Sequence, residues 1–153
     1  ASVPSTLLRF AAVMAADAWH TQQTVTALRQ GSLPIIGKGD GYFSMIHADD
    51  AARAIAAVIG RAEAVAGKTY NVVDDAPATM AEVFSYAARI LRAPRPKSVP
   101  ALLAKLAVGG ITLDVLAASY RMSAARIHAD TAFAPAYPTY KETWNQIAAT
   151  IDA

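Results

Sequence analysis

The chain contains no cysteine. Disulfide staples and thiolate metal centres are therefore excluded, and a reducing cytoplasm is the compartment the composition suits. Long unbroken apolar runs are missing too. The most apolar stretch, Val99 to Ala118, is interrupted by Lys105, Gly109, Gly110 and Asp114, which argues against a membrane span. The opening segment TLLRFAAVMAADA ends like a signal peptide, but Arg9 breaks its apolar part and no basic region precedes it. It reads instead as a buried strand with its following loop. Charge is also scarce. Only 17% of the 153 residues are charged, and a net charge of +2 gives no field suited to nucleic acid. The one basic run, Arg89, Arg92, Arg95 and Lys97, follows a helical pattern, where cations suit the negative end of the helix dipole.

What the chain does have is apolar mass, 54% of its residues, much of it alanine. That is globular rather than disordered composition, and a chain of this length buries roughly 70% of its unfolded surface on folding. We expect one domain over residues 1–153.

Thr6 to Phe10 suits an internal strand. A polar helix over about Ala18 to Gln30 follows, with Asp17 as the expected N-cap and Gly31 as its stop. Leu33 to Ile36 and Tyr42 to His47 read as extended. Asp49 is placed to cap the next helix, with Asp50 in its first turn and Ala51, Ile55, Val58 and Ile59 as its buried face. Thr69 to Val73 is apolar and β-branched, as in a parallel strand. Strand, helix, strand with short connections is the order of a βαβ crossover in an α/β protein.

Two capping boxes, Thr79–Glu82 and Thr139–Glu142, open further helices. Val83, Phe84, Ala87, Ala88 and Leu91 share one face of the first; Trp144, Ile147, Ala148 and Ile151 share one face of the last. Between them, Pro100 with Leu102, Leu103 and Leu106 predicts a helix stopped at Gly109-Gly110, and Leu113 to Tyr120 predicts another.

Little of this carries obvious chemistry. Gly37, Gly39 and Gly41 are spaced G-x-G-x-G and lead into a strand, whereas a dinucleotide fingerprint opens a helix whose N-terminus holds the pyrophosphate. A turn is expected. Tyr137 and Lys141 stand at i and i+4, but Pro138 and the Thr139 cap lie between them. His47, Asp49 and Asp50 could be imagined around a metal; helix capping accounts for both aspartates without one. No catalytic residue and no metal ligand are assigned.

Four segments, in order, carry a resemblance. They are LLRFAAVMAADAW, SMIHADDAARAI, TYNVVDDAPATMAEV and RMSAARIHADTAFAPAYPTYKETW. Together they resemble the C-terminal half of the extended and atypical short-chain dehydrogenase/reductases, the NAD-dependent epimerase/dehydratase family. SMIHADDAARAI is similar to that family's Ser-x-Ile/Val-His-Val-Asp-Asp-x-Ala motif, and RMSAARIHADTAFAPAYPTYKETW is similar to its R-x-S … Y-P-(S/T) ending.

The resemblance implies a fold: the C-terminal part of a Rossmann-like doubly wound parallel sheet plus a helical substrate lobe, without the N-terminal dinucleotide-binding half. It also implies that NAD(P) and the catalytic tyrosine and lysine belong to that other half, so this chain alone is expected to bind no cofactor. Phe10 and Val13 fall on the cofactor-proximal segment by resemblance, and Met14, Ala15 and Ala16 replace its usual Y-G-P. In nucleotide-sugar epimerases an arginine for the substrate diphosphate stands four residues before the motif's histidine; here that position is Phe43. A smaller or more apolar substrate is implied, with Met14, Phe43 and Met45 as pocket liners. Three readings stay open: part of an NAD(P)-dependent oxidoreductase or epimerase, a stand-alone remnant binding a small molecule or partner without redox chemistry, or an independent enzyme on this scaffold. Leu7 to Phe10 and Thr69 to Val73 are expected to present an open sheet edge to a Rossmann half or to another copy.

Overall fold

The computed structural model describes residues 5–100, 102–103 and 119–152. Along those residues the elements run β1 (Leu7–Phe10), β2 (Ala12–Met14), α1 (Trp19–Arg29), β3 (Pro34–Ile36), β4 (Met45–His47), α2 (Ala48–Ile59), α3 (Ala62–Val65), β5 (Thr69–Val72), α4 (Met80–Ile90), β6 (Lys97–Val99), α5 (Ala125–Asp130) and α6 (Tyr140–Ile151). This is an α/β chain whose named strands pair in parallel. Most of the helices expected between residues 100 and 120 lie outside the described residues. Two compact units divide the chain.

The first unit comprises residues 5–15, 44–77 and 122–143. Its opening strand changes partner at Ala11. β1 runs beside β5, Leu7 opposite Thr69 and Phe10 opposite Val72, whereas β2 runs beside β4, Ala12 opposite Met45 and Met14 opposite His47. The Ala11 N–H still reaches the Val72 carbonyl, and the next N–H, of Ala12, reaches that of Ser44. The loop expected after β1 is thus largely a second strand.

Ile46, Ala54, Val65, Tyr70, Val72, Val73, Ile127 and Phe133 form the core over which α2 and α5 pack. On α2 the buried apolar residues are Ala51, Ala54 and Val58, while Ile55 and Ile59 are 43% and 69% exposed. The buried face is therefore rotated from the one expected. At about 100° per residue, a stripe centred on Ala51, Ala54 and Val58 leaves Ile59 roughly a quarter turn or more away. Small alanines let the helix approach the strands closely, and the two isoleucines are left exposed in consequence.

The second unit holds residues 16–43, 78–100, 102–103, 119–121 and 144–152. α1 starts one residue later than expected: Ala18 is its N-cap, extended and without a side-chain bond, so Asp17 stands outside the helix and caps nothing. Gly31, at φ 66°, ends it by donating to the Leu28 carbonyl. β3 pairs with β6, Pro34 opposite Lys97. Val83, Phe84, Ala87 and Ala88 of α4, its C-cap Leu91, and Trp144, Ile147 and Ala148 of α6 are buried. Tyr86 Oη donates to Asn145 Oδ1 at 2.9 Å, tying these two helices.

The glycine loop serves α4. Carbonyls of Gly39 and Gly41 accept the N–H groups of Ala81 and Met80, satisfying donors that a helix start leaves free. The expected strand from Tyr42 is shorter, beginning at Met45; Tyr42 makes only a single antiparallel bridge with Thr79.

Candidate functional site

The first unit gathers its polar side chains where β4 and β5 end. His47 closes β4 and is the N-cap of α2. Its Nδ1 accepts the Asp49 N–H at 3.1 Å, which places the proton of a neutral ring on Nε2. The expectation that Asp49 caps this helix is corrected. The cap position belongs to the residue with extended backbone, and that is His47 at φ −69°, ψ 144°. Asp49 stands in the first turn, exposed, where its charge faces the positive helix end.

Asp50 does more than sit in that turn. It is fully buried, and its two carboxylate oxygens accept the N–H groups of Ala136 and Tyr137, both at 2.8 Å, while Arg53 Nη1 donates to Oδ1 at 2.8 Å. The Tyr137 ring then lies 4.0 Å from the His47 ring. One aspartate thus fixes the 134–138 segment over the end of β4.

Beyond β5, Asp74 and Asp75 diverge in environment. Asp74 is 5% exposed, and its N–H donates to the Met45 carbonyl. Burial, then the neighbouring Asp75 charge and Glu142, push its carboxyl up to about 7, against the opposing pull of the Ala76 N–H. Asp75 Oδ1 lies 2.7 Å from His128 Nε2, and its N–H donates to the Pro138 carbonyl. On the other side of α5, Asp130 Oδ2 accepts from Tyr70 Oη at 2.7 Å and Lys68 Nζ at 2.9 Å, which hold its carboxyl below the usual range.

Of the residues singled out from sequence, Met14 stands opposite His47 and Met45 opposite Ala12 on the β2–β4 pair, and both methionines are enclosed, at 2% and 1% exposure, which corrects the expectation that they line a pocket. Phe43 belongs to the second unit and packs on Phe84 with ring centroids 5.2 Å apart. Phe10 ends β1, 38% exposed, and Val13 packs against the first unit's core. Thr79 accepts from Glu82 N–H, and the Glu82 carboxylate accepts the Thr79 N–H, forming a reciprocal box. Thr139 Oγ1 accepts the Lys141 N–H at 3.1 Å, with Glu142 accepting from Thr139 in return. Tyr137 and Lys141 lie outside and inside the start of α6, respectively. Sequence reasoning missed the anchoring role of Asp50, the burial of Asp74 and the His128–Asp75 pair. The doubled aspartates were visible, but their partners lie too far along the chain for any local pattern to show.

No family model matches the chain. Among characterised proteins it is 29% identical over 138 residues to a 3-diazoavenalumate denitrifying reductase of a Streptomyces species, covering 89% of this chain and 44% of that one. Among solved structures it superposes on a human epimerase family protein crystallised with NADPH, with TM-score 0.82 and 19% identity, over 94% of this chain and 48% of that one. A functionally unknown conserved protein from Silicibacter pomeroyi gives TM-score 0.78 and 25% identity, over 95% and 49%. The chain spans about half the length of each of these proteins. Its fold is that of the C-terminal part of a Rossmann-like enzyme. Solved structures of the NAD-dependent epimerase/dehydratase type share this fold at 17% identity and TM-score 0.69, again over less than half of their own length. Among the described residues no helix is long and apolar enough to cross a membrane.

Proposed function

We propose that this chain forms the substrate-side portion of an NAD(P)-dependent oxidoreductase or epimerase of the short-chain dehydrogenase type, and that it does not complete the chemistry alone. The observation that carries this reading is the extent of the match: nearly all of this chain, and only half of proteins such as the NADPH-bound human one. In this reading the nicotinamide cofactor and the proton-transferring residues are supplied by a Rossmann half. Phe43, half-buried, supplies apolar surface to the substrate, with Phe10 and Val13 on the cofactor-facing segment, whereas Met14 and Met45 are packed inside the first unit and line no pocket. The reductase name of the Streptomyces relative and the phenylalanine at position 43 both favour reduction of a small, largely apolar substrate over epimerisation of a nucleotide sugar. The reading carries a cytoplasmic location with it.

The same reading assigns the partner. Among the described residues β1 and β5 form a two-stranded pair, with Leu7 54% exposed, and a parallel edge of this kind is a template for further strands. A Rossmann half takes that edge, or another copy of this chain does in its absence.

Two measurements test this. Titration calorimetry of the chain with NAD, NADH, NADP and NADPH is expected to show no binding; micromolar affinity would overturn the assignment of the cofactor elsewhere. Material captured from the native source by an antibody to this chain is expected to contain Rossmann sequence and to bind NADPH or NADH. Recovery of the 16.1 kDa chain alone, binding neither, would favour a stand-alone binding protein instead.

A further inference from the structure

His128 projects from α5 between two acceptors. Its Nδ1 is 2.9 Å from the Phe133 carbonyl oxygen, and its Nε2 is 2.7 Å from Asp75 Oδ1. A carbonyl and a carboxylate both accept, so both ring nitrogens have to donate. A neutral imidazole carries one N–H; the imidazolium carries two. His47, by contrast, uses Nδ1 as an acceptor.

We propose that His128 is a proton-operated latch, which in its doubly protonated form ties the end of β5 to the 131–138 segment and which releases one of its two ties when it loses a proton. The tie reaches further than one contact. Asp75 donates its N–H to the Pro138 carbonyl, and the segment between Phe133 and Pro138 carries Tyr137 onto His47. The His128 ring also stacks on Phe133, centroids 5.3 Å apart at 18°.

Among the described residues, the charged groups around the latch leave Asp75 as its ionic partner. On α5, Arg126 directs its guanidinium to the Thr69 carbonyl, and Asp130 is taken by Lys68 and Tyr70. At the start of α6, Glu142 is bonded by Thr139. Asp74 adjoins Asp75 but is buried and accepts from the Ala76 N–H. Burial by itself would lower the basicity of the ring, but the Phe133 carbonyl and the Asp75 carboxylate overcome it and hold the group above its ordinary value. The stabilisation is therefore complete below the unfolded-state value of about 6.5 and is lost as pH rises through the higher folded-state value.

Nitrogen-15 NMR of the full chain, which has three histidines, tests this directly. At pH 6 the His128 ring is expected to show two protonated nitrogens, with a titration midpoint above that of free histidine. Amide exchange of residues 131–138, corrected for its intrinsic pH dependence, is expected to quicken about fivefold between pH 6 and pH 8, the equilibrium worth of one hydrogen bond. In Asp75→Ala the midpoint should fall and this acceleration should disappear. A single protonated nitrogen at pH 6, or unchanged acceleration in Asp75→Ala, would overturn the latch. If that variant does not fold, the ring spectrum of the unaltered chain decides.

Discussion

Replacing Asp74 with asparagine should stabilise the protein in a pH-dependent way. Its carboxyl is pushed up to about 7, first by burial and then by Asp75 and Glu142. An unperturbed aspartate titrates near 3.9, so the folded state holds a proton that the unfolded state has already released. Stability is then highest below the unfolded value and falls as pH rises through the folded one. About three pKa units at 1.36 kcal/mol each give roughly 4 kcal/mol of charge-burial cost once pH exceeds 8, and about 2.5 kcal/mol of that accrues between pH 5 and pH 8. The asparagine keeps the carbonyl oxygen that accepts from Ala76 and is never charged. Its amide donors, if unsatisfied, cost about 1–3 kcal/mol at every pH. The net gain at pH 8 is therefore about 2 kcal/mol, and the difference in mutational effect between the two pH values should be about 2.5 kcal/mol, because the amide cost cancels. Urea unfolding of both proteins at pH 5 and pH 8 measures it. The loss of the His128 latch with rising pH acts in the same direction but is present in both proteins. A pH-dependent difference below about 1 kcal/mol would refute the claim that burial of Asp74 dominates.

Asp50→Ala should cost about 3 kcal/mol in chemical melts, since it strips the acceptor from two backbone N–H groups and leaves Arg53 without its partner; a cost under 1 kcal/mol would mean that the 134–138 segment is held by other contacts. His47→Ala should cost about 1 kcal/mol or more through the lost cap and the lost ring contact with Tyr137, whereas Asp49→Ala should cost only the dipole interaction of about 0.5 kcal/mol; the reverse order in urea melts would restore Asp49 as the cap. Arg92 sits at φ 51° just past the end of α4, with its N–H on the Arg89 carbonyl and the Ala93 N–H on Ala88, so Arg92→Gly should raise stability by about 1 kcal/mol. No gain in thermal or chemical melts would show that the arginine side chain compensates for its backbone.

The sequence by itself determined the features that are local. The Thr79–Glu82 box is three residues long, the buried stripe of α4 repeats at helical spacing, and the βαβ order around Ala48–Ile59 is punctuated by residues that favour turns and caps. The four ordered segments were also enough to indicate the C-terminal-half fold. Tertiary structure decided what depends on distant partners. Asp50 reads as a first-turn aspartate until the chain returns 86 residues later to offer two N–H groups. His128 has no visible partner until β5 brings Asp75 to it across 53 positions. The change of strand partner at Ala11, and the turning of Ile55 and Ile59 away from the core, depend on which surfaces meet. Periodicity gives a helix a face to bury, but only the packing partner fixes where that face is centred, and a carboxylate's role follows from the donors and burial that folding gives it.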